Sequence, residues 1–113
     1  MFQKNSDLIS LHLSSNHKTK KFIGEEEFKL MKKTAIIINT SRGDIIDEKK
    51  LENALKRKII AFAALDAFEK EPYSGCMINL ENCLITSHSS SFTESARKMM
   101  EIHATKNIIR FYL

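Results

Sequence analysis

The sequence predicts an α/β protein, a parallel sheet with helices packed against it. Two observations carry this. First, short apolar runs recur without strict alternation, as in Ala35-Ile-Ile-Ile-Asn39 and Ile60-Ala-Phe-Ala-Ala-Leu65. Strands buried on both faces of a parallel sheet read as continuous runs of this kind, whereas half-solvated strands alternate. Second, stretches with apolar residues at helical spacing separate these runs, and alternating strands and helices imply parallel strands joined by crossovers.

Each element has a local reason. Leu8–Leu13 is the first apolar run and the first expected strand. Thr19 to Met31 carries Phe22, Ile23, Phe28, Leu30 and Met31. Gly24 divides it into a short turn and a helix that opens on Glu25-Glu-Glu27, where acids favour the positive end of the helix dipole. Ala35–Asn39 is the second strand. Asp47 reads as an N-cap, followed by Leu51, Ala54 and Leu55 on one helical face. Ile60–Leu65 is the third strand, its alanines suited to close helix contact, and Cys83–Thr86 is the fourth. Thr93 reads as a second N-cap. Ala96, Met99, Met100, His103, Ala104, Ile108 and Phe111 then trace an apolar stripe to the C-terminus. The expected order is β-α-β-α-β-β-α, in one domain with no internal repeat.

Composition narrows the function. The chain is 42% hydrophobic and 28% charged, ordinary for a globular protein, and no apolar run approaches the roughly 20 residues of a membrane helix. Net charge is +4, with 13 Lys/Arg against 8 Asp/Glu in residues 1–60 and 5 against 6 in the remainder. The lysines lie among acids on helical stretches, with no zinc-finger spacing and no interleaved aromatics. This is the pattern of solvated helix faces, not of a nucleic-acid surface. Cys76 and Cys83 form no metal pattern, and they read as reduced thiols of a cytoplasmic protein. No metal site is expected.

In open α/β sheets, ligands bind outside the carboxyl ends of the strands. Here those ends hold Asn39-Thr-Ser-Arg-Gly43 after the second strand and Asp66, with Glu71-Pro72 beyond it, after the third. The fourth is followed by His88 and three serines. Singly, Arg42 reads as a turn residue, Asp66 as a helix cap and His88 as a loop histidine. Together on one sheet edge, an arginine, two carboxylates and a histidine read as a site.

The chain resembles the cofactor-binding domain of the D-isomer-specific 2-hydroxyacid dehydrogenases from Asp7 onward. The matching pieces are Ser6-Asp-Leu-Ile-Ser-Leu-His-Leu13, Leu30-Met-Lys32, Ile38-Asn-Thr-Ser-Arg-Gly43, Ile46-Asp-Glu48 and Leu51-x-x-Ala-Leu55. They continue with Ala64-Leu-Asp-Ala-Phe-Glu-Lys-Glu-Pro72, Asn82-Cys-Leu-Ile-Thr-Ser-His88 and Thr93-Glu-Ser-Ala96. Glu71-Pro-Tyr-Ser-Gly75, Ser91-Phe-Thr-Glu94 and Lys98-Met-Met-Glu101 look most like phosphoglycerate dehydrogenase-type members.

The resemblance implies a Rossmann-like fold and, for residues 1–113, an incomplete NAD-binding domain, the second half of a doubly wound one. It implies NAD as cofactor, with NADP not excluded, and a small 2-hydroxy or 2-keto acid as substrate of the complete enzyme, 3-phosphoglycerate among the candidates. Arg42 would hold the substrate carboxylate and polarise the keto oxygen, as a planar, always-charged donor can. His88 would exchange the proton, and Glu71 would orient His88 and raise its pKa. Asp66 would hold the nicotinamide carboxamide, with Thr40, Ser41, Ser90 and Ser91 lining the ring beside Arg42 and His88. A dimer is the expected assembly, with no nucleic-acid or membrane partner.

The departures are equally specific. The family's Gly-x-Gly-x-x-Gly turn is not in this sequence, whose three glycines are at 24, 43 and 75. That turn, the acidic residue after it and the separate substrate domain are expected to lie outside the chain. The usual Thr-Pro-His is Thr86-Ser-His88, the Ile-Gly after it is Ser89-Ser90, and Ser14 replaces a proline. The expectation is an oxidoreductase fragment with little activity alone. A non-catalytic interaction or assembly remnant is the alternative.

Overall fold

The computed structural model describes residues 4–88 and 93–112. Its elements are β1 (Leu8–Leu11), α1 (Glu25–Leu30), β2 (Ile36–Asn39), α2 (Glu48–Lys56), β3 (Phe62–Leu65), β4 (Cys83–Ile85) and α3 (Glu94–Tyr112). Short 3₁₀ turns sit at Gly43–Ile45 and Cys76–Asn79. The four strands form one sheet in the order β1-β2-β3-β4, every neighbouring pair parallel. The fold is thus a Rossmann-like parallel sheet with flanking helices, in the expected element order.

Local chemistry sets the helix starts. Gly24 is the N-cap of α1, and the Glu27 side chain returns to accept from its N–H at 2.9 Å. Asp47 caps α2 by accepting from the Lys50 N–H at 3.2 Å. Thr93 Oγ1 accepts from the Ala96 N–H at 3.2 Å at the start of α3. Parallel strands require a crossover, and β3 reaches β4 without an α-helix. The crossover is residues 66–82, whose 3₁₀ turn buries Met77 in the core.

The sheet departs from expectation in one respect. Its strands are covered on one face, not two. Ile9, Leu11, Ile37, Asn39, Ala63 and Leu65 are buried on that face. Phe28 of α1 and Leu51, Ala54 and Leu55 of α2 join its core cluster, with Ile23, Ile45, Ile46 and Met77. The intervening residues point the other way. Leu8 and Leu84 are more than half exposed, and Ile36, Ile38, Phe62 and Ala64 are only half-buried. The strands lack an alternating polar set, so the sequence reads as two-sided burial although one side stands open here.

The α3 stripe is the second correction. Met99, Met100, Ile108 and Phe111 are exposed, as are His103 and Ala104, and only Ala96 of the expected stripe is half-buried. The helix forms but does not pack its apolar residues into this core. No helix among the described residues is long and apolar enough to cross a membrane.

Candidate active site

The strand register builds the site. Asn39 pairs with Leu65, and Leu65 with Ile85. Thr40, Asp66 and Thr86 therefore follow their strands side by side along the carboxyl edge. The ladder runs on through them, with Asp66 N–H donating to Asn39 O and Thr86 N–H to Leu65 O, each at 2.9 Å.

After β4 the chain reaches His88 with φ near +54°, in the left-handed region that non-glycine residues rarely adopt. Asp66 holds it there. Asp66 Oδ1 accepts from the His88 N–H at 3.0 Å and from the Thr86 hydroxyl. The half-buried His88 ring meets Glu71, its Nδ1 lying 3.0 and 3.2 Å from the two carboxylate oxygens. Glu71 is fixed from its own loop, accepting from the Phe68 N–H at 3.1 Å. That backbone bond, and after it the His88 ring, hold the Glu71 carboxyl below the usual carboxylate range. Glu71 is therefore ionised at neutral pH and suited to hold a ring N–H. A cleft of about 240 Å³ opens beside the pair, lined by Phe68, Pro72, Tyr73, Ile85, Thr86 and Ser87. Phe68 and Tyr73 stack there with ring centroids 4.3 Å apart.

Arg42 sits apart from this cleft. It borders a shallower depression of about 460 Å³ with His12, Leu13, Ser14, Ser15 and Ser41. Its Nη1 donates to the Ser41 carbonyl at 2.8 Å. The turn presenting it is built by Asn39, the one polar residue buried among the described residues. Asn39 Oδ1 accepts from the Ser41 N–H and hydroxyl at 3.1 and 2.9 Å, and its Nδ2 donates to the Arg42 carbonyl at 2.9 Å. Sequence reasoning assigned Asn39 no role. Its signal was an asparagine closing an apolar strand, the residue type that folds its side chain onto the next turn. Thr86, which helps Asp66 fix His88, was likewise missed.

Residues expected together thus fall into two groups, Glu71, His88 and Asp66 in one and Arg42 with Ser41 in the other. Thr40 is exposed at the end of β2 between them. Ser90 and Ser91 lie outside the described residues. Among the described residues, no three His, Cys, Asp or Glu side chains gather to hold a metal ion.

The comparisons with known proteins bear on this geometry. The model of the D-isomer specific 2-hydroxyacid dehydrogenase NAD binding domain matches residues 1–90. The chain belongs to that family. It is 47% identical over 109 residues to a glyoxylate reductase of Thermococcus litoralis, covering 96% of this chain and 33% of the relative. It is also 47% identical over 96 residues to a D-3-phosphoglycerate dehydrogenase of Methanocaldococcus jannaschii, covering 84% and 18%. Among solved structures, a D-isomer specific 2-hydroxyacid dehydrogenase of Lactobacillus delbrueckii in its NAD-complexed form superposes with a TM-score of 0.79. It is 33% identical, over 95% of this chain and 38% of that one. The chain thus spans about a third of the length of the glyoxylate reductases it matches.

The family domain is an NAD binding domain, solved neighbours hold NAD or NADPH, and the residues present fit the nicotinamide end common to both. Both Asp66 bonds use Oδ1, so Oδ2 is the oxygen a carboxamide N–H could meet. The sequence holds no glycine-rich turn to cradle a pyrophosphate.

Proposed function

We propose that this chain supplies the acid–base half of a nicotinamide-dependent interconversion of a 2-hydroxy acid and its 2-keto acid. The observation that supports it is the His88–Glu71 pair, 3.0 Å apart at the carboxyl edge of a parallel sheet. With Nδ1–H held by Glu71, Nε2 is the ring atom that gives a proton to the keto oxygen and takes it back in the reverse direction. The nicotinamide, when bound, supplies the hydride to the carbonyl carbon. Arg42 pairs with the substrate carboxylate, and Thr40, Ser41, Asp66, Ser90 and Ser91 line the cofactor ring. These 113 residues hold no glycine-rich turn, so the phosphate-binding turn and the substrate-selecting surface come from other residues. Glyoxylate and the 2-keto form of 3-phosphoglycerate are the substrates to compare, since relatives of both names match the chain. The free thiols Cys76 and Cys83 suit a cytoplasmic setting.

The test is complementation. The chain is co-expressed with the remaining segments of the Thermococcus litoralis enzyme, and NADH oxidation is followed with both keto acids. Activity is expected in the mixture and not in either part. His88→Ala should cost on the order of 10²–10⁴ in rate, and Arg42→Ala should raise KM as well as lower kcat. A complemented His88→Ala protein at parental rate overturns the assignment. The second reading is an assembly role without catalysis, and the open sheet face with exposed Leu8 and Leu84 favours it. An inactive complex that still forms would support that reading.

A further inference from the structure

Besides the Asp66 N–H to Asn39 bond of the strand ladder, a second polar contact joins the segments that carry the two groups of site residues, and neither the family motif nor the proposed chemistry gives it a role. Glu48, the first residue of α2, accepts from the Glu69 backbone N–H at 2.7 Å. Glu69 lies in the loop after β3, two residues before Glu71. Beside this bond the loop rests on Gly43. A Cβ at Gly43 would overlap the Phe68 carbonyl carbon and the Glu69 nitrogen, so the two backbones are in direct contact. The segment from Arg42 to Glu48 therefore grips the loop twice, by close packing at Gly43 and by a charge-assisted hydrogen bond at Glu48. Next along the loop, the Phe68 N–H fixes Glu71, and Glu71 meets His88.

The Glu48 carboxylate is held there at a cost. Burial pushes its pKa up against the opposing Glu69 bond, and the nearby Glu69 and Asp47 charges add to the rise. A group needed only to begin a helix would sit better in solvent.

We propose that Glu48 is a positioning residue: through the Glu69 N–H it holds the loop that places Glu71 against His88, in register with Arg42. This rests on the reading of His88 and Glu71 as the acid–base pair. What the contact requires is an acceptor of this length, so Glu48→Gln retains the function, whereas Glu48→Ala removes the acceptor and Glu48→Asp falls one methylene short.

The test uses the 113-residue chain and an NMR signature, not turnover. The proton on His88 Nδ1 is set by its partner, and imidazole nitrogen shifts report which nitrogen carries it. His88 is picked out among the four histidines by the signal lost in His88→Gln. The parent and Glu48→Gln should show His88 protonated at Nδ1 at pH 7.5. Glu48→Ala and Glu48→Asp should lose that signal while the buried methyls of Ile37 and Leu51 keep their shifts. If Glu48→Ala does not fold, Glu48→Asp decides the matter. A folded Glu48→Asp that keeps the Nδ1–H signal overturns the proposal, as does a Glu48→Gln that loses it. The signature is independent of catalysis. An inactive complemented enzyme with a Glu48-dependent His88 signal would sink the proposed function and leave this inference standing.

Discussion

Ile37 and Ile38 are neighbours on β2, yet Ile37 is wholly buried while Ile38 is only half-covered. The difference extends over the whole sheet. One face carries Ile9, Ile37, Ala63 and Leu65 under α1 and α2; the other presents Leu8, Ile38 and Leu84. Both faces are apolar, so composition does not distinguish them, and only the covering helices do. Stability here should therefore track the helices that lie over a residue and not its hydrophobicity. The site is anchored from the covered side as well: Asn39, Gly43 and Glu48 all belong to the segment from β2 to α2.

The sharpest way to break this contrast is truncation on each face. Ile37→Ala should cost about 2–5 kcal/mol, the range for deleting a buried aliphatic side chain into a packed core. Leu84→Ala, of similar size but more than half exposed, should change stability by no more than about 0.5 kcal/mol. Urea unfolding of the two variants checks this. Equal losses would mean that the open face is covered in solution by something, and the contrast would fail.

The covered face also holds Asn39, the one buried polar side chain among the described residues, and its removal is the next largest effect. Asn39→Ala strips partners from the half-buried Ser41 N–H and the Arg42 carbonyl, and should cost about 1 kcal/mol, the low end of the range for unsatisfied groups. Ser10→Ala on the open face loses only an exposed bond to His12 and should stay within about 0.5 kcal/mol. Thermal melts of the pair decide it. An Asn39→Ala protein as stable as Ser10→Ala would show that the turn before Arg42 does not depend on Asn39.

Much of this was legible in the residues, and what was not has physical causes. Strand positions follow from β-branched runs, and the caps at Asp47 and Thr93 from side chains that accept early helix N–H groups. The meeting of Glu71 and His88 is not a sequence-local fact, because 17 positions separate them. The strand ends place both on one edge of the sheet, and only the family resemblance implies that they pair. Two-sided burial was misread because residues such as Ile36 and Leu84 are apolar on a face that no described element covers. The α3 stripe misled for the same reason: apolar spacing fixes a face but not what lies against it. Asn39 and Glu48 were missed because each acts through a backbone group of another residue, and Thr86 because its hydroxyl acts through the Asp66 carboxylate 20 positions away.

Cys83 and Leu84 repeat the contrast on β4 with a titratable probe. Cys83 is half-buried against the core cluster, and burial pushes its thiol up to about 11 from an ordinary value near 9. Between those values the folded chain keeps the proton and the unfolded chain releases it. The unfolded state then binds fewer protons, so stability falls as pH rises from about 9 towards about 11 and is unaffected by this group below 9. Lysines and tyrosines titrate in the same window, so the quantity to measure is the difference between the parent and Cys83→Ala. The parent's melting temperature should fall more steeply with pH above 9 than the variant's. The effect is the smallest of the three, since it involves one partly covered thiol. Thiol labelling at pH 8 gives an independent reading, with exposed Cys76 expected to react well before Cys83. Parallel pH profiles together with equal labelling rates would place Cys83 on the solvent side, and the boundary between the two faces would then run one strand further in.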